Sequence, residues 1–196
     1  MSENEQEVQH APWVSESDTA ARKLAEKYGE QCTVEEERVD PTVTLDKAHW
    51  AEAAPFLKDE LKFETCHMVT GIDRGPGEGR IEVVYTLYSR NRAEWLHVRI
   101  PLDRPEKGEL PEVESAAEVW KAADWHERET YDLVGVRFTG HPDHRRILLP
   151  DDWDGHPLRK DYTFPLEYHG IPDVYRMPGS MLYEGPREAA SEGGEA

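Results

Sequence analysis

Long apolar runs and cysteines are both scarce in this sequence of 196 residues. No uninterrupted apolar run exceeds three residues, which excludes a membrane-spanning helix and the hydrophobic core of a secretory signal. The lack of such a signal favours a reducing compartment. The two cysteines, Cys32 and Cys66, are too few for the chain to ligate an iron–sulfur cluster or an all-cysteine zinc ion by itself.

Motifs for nucleotide binding and nucleophilic catalysis are also missing. The sequence contains no Gly-x-Gly-x-x-Gly, no Gly-Lys-Ser/Thr and no Gly-x-Ser-x-Gly. The glycines between Gly71 and Gly79 lie between two predicted strands, whereas a phosphate-binding loop needs a helix after it. We therefore interpret this stretch as a hairpin connection, and we expect no NADH site on the chain.

Positive charge is the third deficit, because 23 basic residues face 41 acidic ones and the net charge is −18. Such a chain repels phosphate backbones, so no nucleic-acid partner is expected. Composition predicts four parts: an acidic disordered leader (residues 1–17), an α+β domain (18–136), an extended partner-binding segment (137–184) and a flexible tail (185–196). The first 20 residues contain no Lys or Arg, and their acids are Glu3, Glu5, Glu7, Glu16 and Asp18.

The hydrophobic periodicity of the central part predicts a helix, two strands, a helix, three strands and a helix. The clearest strand runs from Ile81 to Ser89, where Ile81, Val83, Tyr85 and Leu87 alternate with other residues. This order indicates an α+β fold, a two-layer sandwich of a small mixed β-sheet with helices. An extended proline-rich C-terminal segment follows it.

Prolines recur every six to eight residues after Gly140, and they prevent long helices and inner strands there. The same segment is rich in aromatic and aliphatic residues, unlike a disordered tail. We therefore predict a ribbon that lies on a surface. Its own domain could supply that surface, but a partner protein is favoured. The prolines are Pro142, Pro150, Pro157, Pro165, Pro172, Pro178 and Pro186.

A predicted helix over Ala116–Val134 places Glu127 in the middle of its apolar stripe. A carboxylate on an apolar face is costly unless a cation or several donors meet it. The available cations are Arg145, Arg146 and Arg159. Two interpretations stay open: Glu127 could pin the ribbon to its own helix as an internal strut, or some of these charges could pair with a partner protein.

Four further charged residues of this helix lie near Glu127 in sequence. Arg128 sits beside the apolar stripe, four residues from both Asp124 and Asp132, while Glu129 points away from it.

Late histidines and aspartates suggest a metal-dependent hydrolase as a less favoured alternative. His141, His144 and a carboxylate could ligate one ion. However, Pro142 lies between the histidines, whereas zinc helices space their histidines at i and i+4.

The spacing of charged and apolar residues between Glu127 and Leu148 resembles the signature of the 30 kDa-type subunit of respiratory complex I, also known as its C subunit. A second stretch, Gly155–Tyr162, is similar to the family's next motif, and the resemblance covers roughly residues 19–175. The signature positions are Glu127-Arg128-Glu129, Asp132-Leu133-Val134, His141, Arg145 and Ile147-Leu148.

The resemblance implies a peripheral structural subunit of a proton-pumping NADH:quinone oxidoreductase on the cytoplasmic face of the membrane. The complex would use FMN, iron–sulfur clusters and quinone, none of them on this chain. The chain would dock on the large quinone-site subunit and on neighbouring cluster-bearing subunits, without catalytic residues of its own. An equivalent subunit of a hydrogenase-type complex is the alternative. The candidate interface or strut residues are Glu127, Arg128, Glu129, Asp132, His141, Arg145, Arg146, Arg159, Lys160 and Asp161.

Overall fold

A computed structural model describes residues 20–35, 40–105 and 109–172 of the chain. The predicted acidic leader and flexible tail lie outside the described residues, as does the stretch 173–184 of the predicted partner-binding segment. The described residues belong to two compact units, one ending at Asp161 and the other beginning at Tyr162. The predicted boundary after residue 136 falls inside the first unit.

The elements of the first unit occur in the predicted order, with two additional short strands around the last helix. Short 3₁₀ turns at Gly29–Gln31 and Lys47–His49 precede β1 and α2. The bounds are α1 (Ala20–Tyr28), β1 (Cys32–Glu35), β2 (Thr42–Leu45), α2 (Trp50–Asp59), β3 (Thr65–Asp73), β4 (Arg80–Ser89), β5 (Glu94–Asp103), β6 (Glu112–Glu114), α3 (Lys121–Val134) and β7 (Arg137–Thr139).

Five strands form one mixed sheet in the order β1-β2-β5-β4-β3. The pair β2–β5 is parallel and the other neighbours are antiparallel. The strands β6 and β7 form a separate parallel pair. The prediction of an α+β fold with a small mixed sheet is confirmed.

The inward face of β4 forms the centre of the core because its side chains alternate. Tyr85 is fully buried, and its ring lies 4.2 Å from that of Trp50 on α2. Burial of one such large side chain contributes roughly 1.5–3 kcal/mol to folding. The helices therefore cover one face of the sheet. On the opposite face, the buried carboxylate of Glu82 pairs with Arg74 and Arg99 at 2.9 and 2.8 Å.

Helix α3 begins at Lys121, five residues later than the sequence predicted. The preceding residues form a turn in which the amides of Val119 and Trp120 both donate to the carbonyl of Ala116. The helix packs closely on β3 at Gly71, where an added Cβ would lie 2.8 Å from Thr130 Cγ2. A small residue at this point lets the helix approach the sheet.

In the second unit the described residues form a hairpin of β8 (Glu167–Tyr168) and β9 (Ile171–Pro172). Its turn residues, His169 and Gly170, have positive φ angles of 52° and 78°, as two-residue hairpin turns require. In the part of the chain that the structure describes, no helix is long and apolar enough to span a bilayer.

Candidate functional site

The predicted site residues lie on α3 and on residues 140–161, which we call the covering segment. The covering segment runs alongside α3, and its backbone or side chains contact the helix at several levels. His141 Nε2 lies 3.1 Å from the carbonyl of Asp124, and the amide of Leu158 donates to the carbonyl of Leu133 at 2.9 Å. The first part of the predicted ribbon therefore lies on its own domain.

Glu127 is fully buried and is held by three donors. Its Oε1 accepts hydrogen bonds from the Tyr85 hydroxyl at 2.9 Å and from the Ala116 amide at 2.8 Å. Its Oε2 lies 2.5 Å from the Ser115 hydroxyl. Burial raises the pKa of Glu127 to about 7 although these donors act against the rise, and the charge of Asp124 adds to it.

The expectation that Arg145, Arg146 or Arg159 is the cation that meets Glu127 is wrong. Each of these side chains bonds to other groups, and the partners of Glu127 are the three neutral donors. The physical reason is that a buried carboxyl with several donors and a raised pKa can be accommodated without a counter-ion. None of the three donors lies on the covering segment, so Glu127 joins α3 to β4 and to the turn before α3 rather than pinning the ribbon to the helix.

The imidazole ring of His141 lies beside the carboxyl group of Glu127. Its side chain is fully buried, and its Nε2 lies 4.0 Å from Glu127 Oε2. Its Nδ1 accepts a hydrogen bond from the Asp143 amide at 3.0 Å. Because Nδ1 is an acceptor, the proton of the neutral ring is on Nε2, which donates to the carbonyl of Asp124.

Arg128 is buried and supports the backbone of the covering segment. It donates to the carbonyls of Arg145 and Arg146 at 3.3 and 3.4 Å, and its charge is met by Asp143 at 3.4 Å. Asp143 also accepts hydrogen bonds from the exposed Arg145 side chain at 3.0 Å. Glu129 lies on the exposed side of α3, as predicted.

Asp132 organises the turn at residues 147–149. Its buried Oδ2 accepts hydrogen bonds from the three successive amides of this turn at 3.1, 2.7 and 2.8 Å. Its Oδ1 pairs with Arg146 at 2.6 Å. Burial by itself would raise the pKa of Asp132, but the amides and Arg146 outweigh burial and lower it.

Arg146 and Arg159 hold the backbone on either side of this turn. Arg146 donates to the carbonyls of Trp153 and Gly155 at 2.9 and 3.0 Å. Arg159 donates to the carbonyls of Val134 and Gly135 at 2.8 and 2.9 Å. A cation at the C-terminus of α3 is favourable because the last carbonyls of a helix carry partial negative charge.

Lys160 and Asp161 connect the covering segment to the sheet through two residues that the sequence analysis missed. The amide of Lys160 donates to Asp73 at 2.8 Å, and Asp161 pairs with Arg104 at 2.5 Å. Arg104 also pairs with the buried Asp73 at 3.0 Å. Asp73 lies two residues before a glycine, a spacing that is typical of a turn. Its partners Arg104 and Lys160 are distant in sequence, and no sequence pattern predicted them.

Tyr85 and Ser115 are the other residues that the analysis did not assign to the site. The alternation of β4 placed Tyr85 on the inward face of the strand. A tyrosine there is a signal, because a buried hydroxyl usually has a hydrogen-bonding partner. Ser115 carried no comparable signal, since nothing in the sequence pattern predicts the turn that brings it to Glu127.

The hydrolase alternative receives no support from the late histidines. Both ring nitrogens of His141 are used within the protein, and His144 Nε2 accepts from the amide of Phe138 at 3.0 Å. Across residues 20–35, 40–105 and 109–172, no group of three or more His, Cys, Asp and Glu side chains could hold a metal ion.

The outer surface of α3 and the covering segment exposes large apolar side chains. Trp125, Leu148 and Leu158 are 65%, 61% and 58% exposed. The guanidinium carbon of Arg128 lies 5.6 Å from the ring centre of Trp125. The buried charged residues thus fix the backbone of the covering segment on α3, and the outer surface of these elements is apolar at these three positions.

Comparison with solved structures supports the fold. A trypsin-resistant fragment of Nqo5 superposes with a TM-score of 0.53 and 28% identity, covering 62% of this chain and 96% of the fragment. A chain of an archaeal respiratory membrane complex, the membrane-bound sulfane sulfur reductase, gives a TM-score of 0.61 over 72% of this chain and 82% of that chain. At 23% identity, the second likeness shows the fold alone.

Sequence comparison gives a more specific result. The C subunit of the NADH-quinone oxidoreductase of Geobacter metallireducens is 44% identical over 80% of this chain and 94% of the relative. That of Chloroherpeton thalassium is 40% identical over 80% of this chain, but the match spans 65% of the relative. Residues 43–168 match the family model described as respiratory-chain NADH dehydrogenase, 30 Kd subunit. The chain therefore belongs to the 30 kDa subunit family of the respiratory-chain NADH dehydrogenase, also called NADH-quinone oxidoreductase.

Proposed function

We propose that this chain is a structural subunit in the peripheral arm of a proton-pumping NADH:quinone oxidoreductase. The observation that carries the proposal is the 44% identity to the relative from Geobacter metallireducens over 94% of that relative's length. In the complex, electrons pass from NADH through FMN and iron–sulfur clusters to quinone. The chain supplies no catalytic group and no cofactor ligand, and it lies at the cytoplasmic face of the membrane.

The proposed task of the chain is to hold the quinone-site subunit and the cluster-bearing subunits in a fixed arrangement. A rigid surface suits this task because little conformational entropy is lost when it binds. The bonds of Asp132 and Arg146 support such rigidity, since they fix the turn at residues 147–149 and the carbonyls of Trp153 and Gly155.

We place the docking surface on the exposed apolar residues Trp125, Leu148 and Leu158. Large apolar side chains with polar neighbours are typical of protein interfaces. The buried charged residues would act indirectly, by positioning this surface. Exposed Glu129, Arg145 and Lys160 remain candidates for direct ion pairs with the quinone-site subunit.

Two substitutions on the covering segment test the docking. We expect Leu148→Glu together with Leu158→Glu to abolish co-purification with the quinone-site subunit, because charges would be buried in an apolar interface. Both side chains are exposed, so the isolated variant should unfold at the same urea concentration as the wild type. Met68→Glu is the matched control, because Met68 is 46% exposed on the sheet face opposite the helices. Undiminished co-purification of the double variant would refute this docking surface.

The electron donor needs a separate experiment, because a related fold also occurs in the sulfane sulfur reductase complex. We expect the complex purified through this chain to oxidise NADH with a quinone as acceptor. A complex that holds the chain but does not oxidise NADH would instead favour the hydrogenase-type alternative.

A further inference from the structure

One pocket of this acidic protein is lined mainly by positive side chains. It has a volume of about 460 Å³ and is lined by Lys58, Lys62, Glu64, Arg90 and Asn91. Three cations and one carboxylate give the lining a net charge of +2, whereas the whole chain carries −18. The pocket is therefore suited to a negatively charged group, and small-molecule sites have volumes of roughly 300–1,000 Å³.

The two lysines of the pocket retain hydrogen-bonding capacity. The ammonium group of Lys58 donates to the carbonyl of Val119, and that of Lys62 donates to the carbonyl of Asp59. These acceptors are neutral, so they do not compensate either positive charge. Because an ammonium group has three donors, one carbonyl leaves capacity for a further acceptor.

Arg90 supplies the third cation from the turn between β4 and β5. Its backbone amide and its Nε both donate to Oε1 of Glu64, at 3.1 and 2.9 Å. The side chain is 78% exposed, and a guanidinium has four further donors on its two terminal nitrogens. Arg90 can therefore bind a ligand while its Nε keeps the hydrogen bond to Glu64.

The backbone conformation at Lys62 is unfavourable for a lysine. Lys62 follows α2 and has a φ of 61°, and the amide of Phe63 donates to the carbonyl of Leu57 at 2.9 Å. Glycine or asparagine is preferred at such a helix end, because the Cβ atom of other residues destabilises the left-handed conformation. The end of α2 by itself thus favours another residue, and the lysine adds a charge to the pocket at a cost in stability.

We propose that this pocket binds the phosphate group of a small molecule or of a lipid headgroup. A phosphate monoester has a charge of about −1.5 to −2 near neutral pH and three acceptor oxygens, whereas a carboxylate has one charge and two oxygens. The three cations and the net charge of +2 in the lining therefore match a phosphate better. The proposal is independent of the proposed function.

Titration of the full chain with inorganic phosphate tests the proposal. We expect the amide signals of Lys62, Arg90 and Asn91 in ¹⁵N NMR spectra to shift and to saturate. Chloride is exchanged for phosphate at constant ionic strength, so that screening does not change. Lys121 is the internal reference, since it is 83% exposed and does not line the pocket. Shifts that do not saturate, or that are equal at Lys121, would indicate an adventitious ion only and overturn the proposal.

Lys62→Gly separates binding from stability, because the two should change in opposite directions. We expect the affinity for phosphate to fall about fivefold, since one charge near the ligand is lost. The equilibrium constant of unfolding in urea should also fall, roughly threefold, because glycine fits the left-handed backbone.

Ala93→Gly is the matched control for this variant. Ala93 has a φ of 50° and does not line the pocket, so the variant should gain stability with unchanged affinity for phosphate. Wild-type affinity in Lys62→Gly would contradict a role for this lysine in binding and overturn the proposal.

Two further probes distinguish the sources of the phosphate group. Glycerol 3-phosphate represents a soluble ligand, and vesicles of phosphatidylglycerol in phosphatidylcholine represent a lipid headgroup. Binding that is weakened by Lys62→Gly supports the source whose probe is bound. Failure of both probes to bind would overturn the proposal, because each presents the phosphate chemistry that the pocket is expected to bind.

Discussion

Burial of single ionisable side chains has opposite consequences at different positions of this protein. Glu127 is surrounded by neutral donors, and its pKa rises to about 7 because burial dominates. Asp132 is equally inaccessible, but three amides and Arg146 lower its pKa. Burial lowers the pKa of His144 and of His156. Each group therefore links folding to pH in its own direction.

Replacement of Glu127 by Gln should remove one pH dependence of stability. Folded Glu127 binds its proton more tightly than the unfolded chain does. The contribution of Glu127 to the free energy of unfolding is therefore complete below a pH of about 4.5. As the pH rises through about 7, on the order of 3 kcal/mol of this contribution is lost. Glutamine can still accept from Tyr85 and Ala116 and donate to Ser115, so the variant should fold.

The measurement is the urea-unfolding free energy of wild type and Glu127→Gln at about pH 5 and at about pH 8. The difference between the two proteins isolates Glu127. This matters because His144 and His156 act oppositely: their contribution is present above a pH of about 6.5 and is lost as the pH falls through their lowered pKa values. A difference between the proteins that does not change with pH would contradict the raised pKa of Glu127.

Asp132→Asn should lower the free energy of unfolding by about 3 kcal/mol. The asparagine amide has one acceptor oxygen, so it cannot serve both the three amides and Arg146, and its NH₂ group must face one set of donors. Asp151→Asn is the matched control, because Asp151 lies on the covering segment and is exposed, so its replacement should change stability by less than about 1 kcal/mol. Equal effects of the two substitutions in urea unfolding would show that the turn at residues 147–149 does not depend on Asp132.

At the scale of elements, the end of α3 packs against the covering segment at Gly135. Gly135 has a φ of 77°, and its amide donates to the carbonyls of Thr130 and Tyr131. An added Cβ would lie 2.3 Å from the His156 ring. The glycine thus ends the helix, and its lack of a Cβ lets the covering segment pack closely against it.

Gly135→Ala should therefore cost about 2 to 4 kcal/mol, the sum of a left-handed backbone and a steric clash. Gly29→Ala separates the two contributions, because Gly29 has a φ of 56° and nothing within 4 Å of an added Cβ. We expect only about 1 kcal/mol for this control. Thermal or urea unfolding measures both variants, and a cost at Gly135 no larger than at Gly29 would argue against close packing of His156.

At the scale of the whole molecule, the covering segment belongs to the first compact unit rather than to a separate segment. A chain that ends after Asp161 retains every hydrogen bond that joins α3, the covering segment and Asp73. We expect its first unit to match the full chain in unfolding free energy within about 0.5 kcal/mol.

A chain that ends after Gly140 should lose at least about 3 kcal/mol, because it lacks the donors to Asp132 and the cation at the end of α3. Urea unfolding of both truncated chains beside the full chain gives the comparison. Similar stability of the two would mean that the covering segment contributes little to the domain.

The fold was largely predictable from local patterns. Alternation along β4 and the helical periodicity of α2 depend on neighbours in sequence, and both were recognised. The predicted start of α3 was wrong by five residues because the turn at Ala116 depends on a tertiary contact. The amide of Ala116 donates a hydrogen bond to the side chain of Glu127, which lies within the helix. The site residues could be named, but their partners lie in other elements, as Tyr85, Asp73 and Arg104 do.

The sequence by itself determined the class of fold and the absence of nucleotide motifs, because these follow from periodicity and residue spacing, and it indicated the family through its resemblance to known members. Only the tertiary structure decided which charges meet. It pairs Arg146 with Asp132, directs Arg159 to the carbonyls that end α3, and leaves Glu127 with neutral donors. The reason is that a buried ionisable group is stabilised by atoms within a few ångströms in space, and those atoms come from distant positions in the chain.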